Sequence, residues 1–144
     1  MINDTVGAAA SLLARLLLAA LFVIEGWSKI KGYDGAVAYM QRFGVPGALL
    51  PLAILVELGG GLMVAVGWQT RLAALALAGF ALLAAVLFHT NFADRNQELH
   101  FFKDLAIAGG FLALVAHGAG AWSLDALMPG GSVSSFWRRP SPPS

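Results

Sequence analysis

The chain has 144 residues, of which 58% are hydrophobic and only 12% charged, with a formal net charge of +1 and no cysteine. A soluble domain carries about a quarter charged residues, and a chain this short has much surface for its volume, so a lipid solvent and membrane-spanning segments are expected. The small net charge leaves no strong field for nucleic acid, and the lack of cysteine excludes disulfides, thiol redox chemistry, thiolate-held zinc, iron–sulfur clusters and c-type haem attachment.

The N-terminal stretch MINDTVGAAAS has no basic region, and Arg15 lies inside the apolar run that follows. The first segment is therefore read as mature structure and not as a cleaved signal. It is expected to span the membrane over about residues 8–30. Leu16 to Ile24 are all apolar, after which come Glu25 and, one helical turn on, Lys29. Glu ahead of Lys at i and i+4 is the favourable order for pairing. A lone charge at the middle of a span costs about 2.5–3.5 kcal/mol, so the two are expected to turn together toward the bundle interior. Arg15, toward the other end, reads as an interfacial anchor.

Next comes KGYDGAVAYMQRFGVPG. Gly32 and Asp34 break the first helix, Ala36, Val37, Met40 and Phe43 recur at helical spacing, and Gly44 and Pro46 stop the segment. This predicts a short amphipathic helix at the membrane interface. The second span, about residues 48–68, has Glu57 as its sole charge. Glu57 lies about 14 Å into the helix, too deep to reach headgroups. It must pair, be protonated or face a cavity. An ion pair with Arg15 across the bundle is one option.

The tight connection GWQTR makes the second and third spans antiparallel neighbours. The third, about residues 72–92, has no polar side chain from Leu72 to Phe88, then His89; Arg71 at its start reads as a second interfacial anchor. FADRNQELH is expected to be an exposed polar connection. The fourth span, about residues 101–122, carries Lys103 and Asp104 at its start and His117 near its end. A carboxylate in a first turn suits the helix dipole. Residues 1–128 are read as one membrane domain and the Pro/Ser/Gly-rich 129–144 as a disordered tail.

Continuous Ala- and Leu-rich runs fit helices and not the alternating strands of a barrel. The fold class expected is all-α: an integral membrane four-helix bundle of up-down topology with a short interfacial helix between spans one and two. Threading it gathers Glu25, Lys29, His89, His100, Lys103 and Asp104 at one end, with Glu57 below them. The candidate polar chamber is Glu25, Lys29, Glu57, His89, Lys103 and Asp104. The plainer alternatives are that Lys29 snorkels, Lys103 marks the interface and His89 bonds a carbonyl. No phosphate loop, metalloprotease motif or nucleophile elbow is present, and no metal site is assigned. His117 lies about 24 Å along the fourth helix from its start, so it cannot share a haem iron with His89, and haem is disfavoured.

RLLLAALFVIEGWSKIKGYDGAVAYMQRFGVP, LVELGGGLMVAVGWQTRLAAL, LFHTNF and HFFKDLAIAGGFLALVAHGAGAWSLDAL, in that order, resemble the DoxX family of bacterial membrane proteins. The resemblance covers about residues 12–128 and implies a four-span protein of the bacterial inner membrane. Arg15, Gly26, Lys29, Glu57, Gly60, Gly67, Arg71, His89, Phe102, Lys103 and Leu105 fall on the family pattern. Asp104 stands where many members have Asn, and Glu25 where relatives often have His or Ser. The family takes its name from a subunit of a thiosulfate:quinone oxidoreductase.

The function expected is an accessory module of a redox or quinone-linked membrane pathway, binding a quinone-like head near Glu57, Lys29, His89 and Lys103. Two alternatives stay open: a non-catalytic anchor or assembly partner, and a small-solute or proton transporter acting as an oligomer. Membrane lipid is the expected surrounding, with another membrane or redox protein, or further copies of the chain, as partners. Cations near the termini (Arg71, Arg138, Arg139) match those on the other side (Lys31, Arg42, Arg95) in number. The paired tail arginines and the resemblance place the termini in the cytoplasm.

Overall fold

A computed structural model describes residues 3–128, so the expectation of a disordered 129–144 tail lies outside the described residues. Its helices are α1 (Asp4–Lys31), α2 (Tyr33–Arg42), α3 (Gly47–Val66), α4 (Thr70–Phe88), α5 (Arg95–His117) and α6 (Leu124–Leu127). Among the described residues there is no strand. α1, α3, α4 and α5 are long and apolar enough to cross a membrane, and α2 is the short helix between the first two spans.

Local chemistry sets the helix ends. The Asn3 side chain caps α1 by accepting from the Thr5 N–H. α1 stops at Gly32, and α2 starts at once in a new direction. α3 opens with a 3₁₀ turn over Gly47–Leu49 and has Pro51 in its first α-helical turn, where a missing N–H costs nothing. Over Leu55–Gly59 it widens into a π turn, with Glu57 at its centre, before returning to α geometry. Such turns are uncommon and recur at functional sites. The turn to α4 uses positive φ at Gly67 (74°) and Gln69 (46°).

α1 packs on α3, α3 on α4, and α4 most extensively on α5. Small side chains make this close packing possible: Ala73, Ala74, Ala78 and Ala81 of α4 lie in the core beside Leu77, Val64 and Phe111. Phe22 meets Phe80 and Phe111 edge to face at 6.2 and 5.4 Å. On the α1–α3 face, a Cβ on Gly26 would come within 3.1 Å of the Leu58 backbone nitrogen, and one on Gly61 within 3.3 Å of that of Val23. These two glycines bring the α1 and α3 backbones together beside Glu57 and one turn beyond it. Leu13, Leu17, Ile24, Leu55, Leu72, Leu83 and Val86 point outward, as a lipid-facing surface requires.

Three boundaries differ from the sequence expectation. α4 ends at Phe88, short of residue 92. α5 begins at Arg95 and not near 101, because Asp94 caps it by accepting from Asn96 N–H at 2.9 Å. Asp104 is thus well inside the helix and gains nothing from a first-turn dipole. α5 ends at His117 and not at 122, because Gly118 and Gly120 take positive φ (78° and 83°) and turn the chain back across the end of the bundle.

Candidate functional site

Lys29, in the last turn of α1, reaches across to α3. Its Nζ lies 3.0 Å from both oxygens of Glu57 and donates to Oε1. Glu57 is only 3% exposed. Its Oε2 is buried and meets Lys29 as an ion-pair contact only, without a well-aligned hydrogen bond. The same Nζ lies 3.4 Å from Oε2 of Glu25. One ammonium therefore serves two carboxylates, one buried and one whose side chain is half exposed. Glu25 does not turn inward with Lys29 as the sequence suggested. Residues four apart on a helix are offset by about 40°, and here that offset carries Glu25 to the rim while Lys29 points to α3.

A second pair joins α4 to α5 at the same end of the bundle. His89 Nε2 lies 3.7 Å from Oδ2 of Asp104, and both side chains are mostly buried. His89 Nδ1 and Asp104 Oδ2 have no hydrogen-bond partner among the described residues. His89 follows the last residue of the third span, and burial holds its imidazole below its usual pKa, against the pull of Asp104. His100 is exposed and stacks on His89, with ring centroids 5.1 Å apart at 30°. Lys103 is exposed. Lys103 and Asp104 are about 100° apart on α5, so when Asp104 faces α4 the lysine turns away. Among the described residues, no group of three or more His, Asp or Glu side chains has metal-ligand spacing.

α2 lies over this end. Tyr39 stacks on Phe43 (5.0 Å) and Phe88 (5.5 Å), and Phe88 meets the His89 ring at 6.5 Å. The Tyr39 phenol is raised above its usual pKa by burial, and the charges of Arg42, Lys29 and Asp104 all act on it. It thus stands near both charged pairs. Sequence reading left Tyr39 out; a tyrosine on a short amphipathic helix directly after Lys29 was the available signal.

The opposite end corrects the reading of Arg15. It is not an interfacial anchor and does not pair with Glu57. Arg15 is fully buried. Its Nη1 donates to the carbonyls of Val64 (3.0 Å) and Ala65 (2.9 Å), and its Nη2 to that of Trp122. It ties α1 to the end of α3 and to the returning chain. Asp125, on α6, accepts from the Gln69 and Thr70 N–H groups at 2.8 and 3.0 Å and so caps α4. Arg71 is half-buried against Gly118, where a methyl group would come within 3.3 Å of its Nε. The depth of Arg15 in its apolar run was the signal for burial. The same rule that singled out Glu57 applies to it, but a long guanidinium chain also allows snorkelling, and the sequence does not separate the two.

Four apolar helices with rare charges turned inward, one polar cluster at one end and a hydrogen-bonded clasp at the other define a four-span integral membrane protein with an intramembrane ionic site. The DoxX family model matches residues 10–90. The chain belongs to the DoxX family. It is 53% identical over 117 residues to the inner membrane protein YqjF of Escherichia coli (strain K12), covering 81% of this chain and 90% of that protein. It is 35% identical over 121 residues to the inner membrane protein YphA of the same organism, covering 79% and 86%. A more distant relative, 29% identical over 77 residues (54% of this chain and 57% of that protein), is named "Putative oxidoreductase CatD" in Bacillus subtilis (strain 168). No solved structure matches the chain.

Proposed function

We propose that this protein is the membrane-embedded component of a redox-linked pathway and binds the oxygen-bearing head of an apolar molecule, a quinone in the simplest case, at the Lys29–Glu57 and His89–Asp104 pairs. The observation that carries this reading is the Glu57 carboxylate. It is 3% exposed, and its cation, Lys29, 3.0 Å from both of its oxygens, is shared with Glu25. A group so placed is costly in a membrane unless it faces a partner or a ligand. At this end, among the described residues, His89 Nδ1 and Asp104 Oδ2 have no hydrogen-bond partner, and Glu57 Oε2 has only its ion-pair contact with Lys29. They suit a ligand head that both accepts and donates. Lys29 would hold a carbonyl oxygen of the quinone form by charge-assisted hydrogen bonding, and Glu57 and Asp104 would accept from the hydroxyl groups of the reduced, quinol form. The name of the Bacillus subtilis relative agrees with a redox setting.

A single-ended site is favoured over a transport path. The Phe22, Phe80 and Phe111 rings and the clasp at Arg15 lie between the cluster and the far side. With the flanking cations equal in number on the two sides, the paired tail arginines and the family resemblance favour termini in the cytoplasm, so the polar end would face outward; reporter fusions at both termini test this. The function itself is tested by titrating the protein in nanodiscs with decyl-benzoquinone and, under argon, with its two-electron-reduced quinol. Saturable binding that is lost in Glu57→Gln supports the reading. Absence of saturable binding to the unaltered protein refutes it and favours the anchor role.

A further inference from the structure

A ligand that enters from lipid passes the membrane interface, and α2 lies there. Three rings gather at that level: Tyr39 on α2, Phe43 directly after it, and Phe88 at the end of α4, with the Phe43 and Phe88 rings edge to face at 5.3 Å. The tilted stack continues through His89 to His100. Flat rings add favourably to such a cluster at centroid spacings of about 4.5–7 Å. Within the cluster, Tyr39 also carries a hydroxyl. Tyr39 is 40% exposed, so it is open to a ligand at this level. The charges it feels come from both pairs, Lys29 on α1 and Asp104 on α5, as well as from Arg42 on its own helix.

We propose that Tyr39 completes the head-group site: its ring, with Phe43 and Phe88, stacks on the flat ring of an oxygen-bearing aromatic ligand, and its hydroxyl donates a hydrogen bond to a ligand oxygen. This rests on the ligand-binding reading above and narrows it to quinonoid or phenolic molecules over other apolar molecules with polar heads. It also gives α2 a role beyond connecting two spans. On this reading the helix carries one wall of the site.

The test uses full-length protein in nanodiscs, with decyl-benzoquinone and decylbenzene as probes. Tyr39→Phe keeps the ring and removes only the hydroxyl. It is expected to weaken decyl-benzoquinone binding about tenfold, leave the weak partition of decylbenzene unchanged and leave the thermal midpoint unchanged. Tyr39→Leu, which also removes the stacking surface, is expected to weaken binding further. Quinone binding by the unaltered protein that is unchanged in both variants overturns this inference and leaves the Glu57-centred reading standing. No saturable binding by the unaltered protein overturns both. Equal losses for quinone and decylbenzene in Tyr39→Phe also overturn it, because a purely packing role would then suffice.

Discussion

Removing either partner of the Lys29–Glu57 pair should not cost the same. In Lys29→Met, Glu57 is left 3% exposed with no cation in reach. Breaking a buried pair from one side costs about 3–5 kcal/mol, and the lower end applies here because the Lys29 side chain is 27% exposed. In Glu57→Gln, by contrast, Lys29 keeps Glu25 at 3.4 Å, and the neutral amide can still accept its hydrogen bond. That change should cost about 1 kcal/mol, the net worth of one hydrogen bond. The double variant should cost no more than Lys29→Met alone, because no lone charge remains. For a chain of this size 1 kcal/mol shifts the midpoint by about 2–4 °C. The expected falls are thus about 6–12 °C for Lys29→Met and about 2–4 °C for Glu57→Gln, read by thermal unfolding in a mild detergent. Equal losses in the two single variants, or losses that simply add in the double, would show that the pair is not coupled in this way.

Other variants probe the rest of the molecule. Arg15→Met should strand the Ala65 and Trp122 carbonyls, which its guanidinium satisfies. It should cost about 2–4 kcal/mol, and Asp125→Ala, which uncaps α4, should cost about 1 kcal/mol; both are read by the same thermal assay. His89 supplies a pH dependence. Its folded pKa lies below the ordinary histidine value of about 6.5, so the folded state binds fewer protons than the unfolded state in that range. Its contribution to stability is fully present above about pH 6.5 and is lost as pH falls through the folded value. A midpoint measured from pH 8 to pH 5 should fall in the acid range, and His89→Gln should flatten that part of the curve. A curve with the same slope in both proteins would remove His89 from the account.

How much of this was readable beforehand depended on whether one residue or a meeting of residues was at stake. The four spans followed from Leu- and Ala-rich runs, since lipid leaves the backbone few alternatives. The depth of Glu57 followed from counting along one helix. Its partner did not, because the rotation of α1 against α3 is set by the close approach at Gly26 and Gly61, which no spacing rule supplies. The same rotation moved Glu25 outward. The start of α5 was misplaced because FADRNQELH is polar and reads as loop, although Asp94 is a good N-cap and the residues after it are tolerable in a helix. The fold-back after His117 was hidden by the apolar run continuing through Ala119 to Trp122, although Gly118 and Gly120 marked where a left-handed turn could form.

Lys29 reaching into the bundle to Glu57 organises the polar end, and solid-state NMR of the protein in lipid bilayers tests that contact directly. With ¹⁵N on lysine side chains and ¹³C on glutamate carboxyls, in a Glu25→Gln background, a short Nζ–carboxyl contact should be present, as the 3.0 Å pair requires. It should vanish on Glu57→Gln. A Lys29 ammonium in contact with lipid phosphate, with no carboxylate contact, would contradict it.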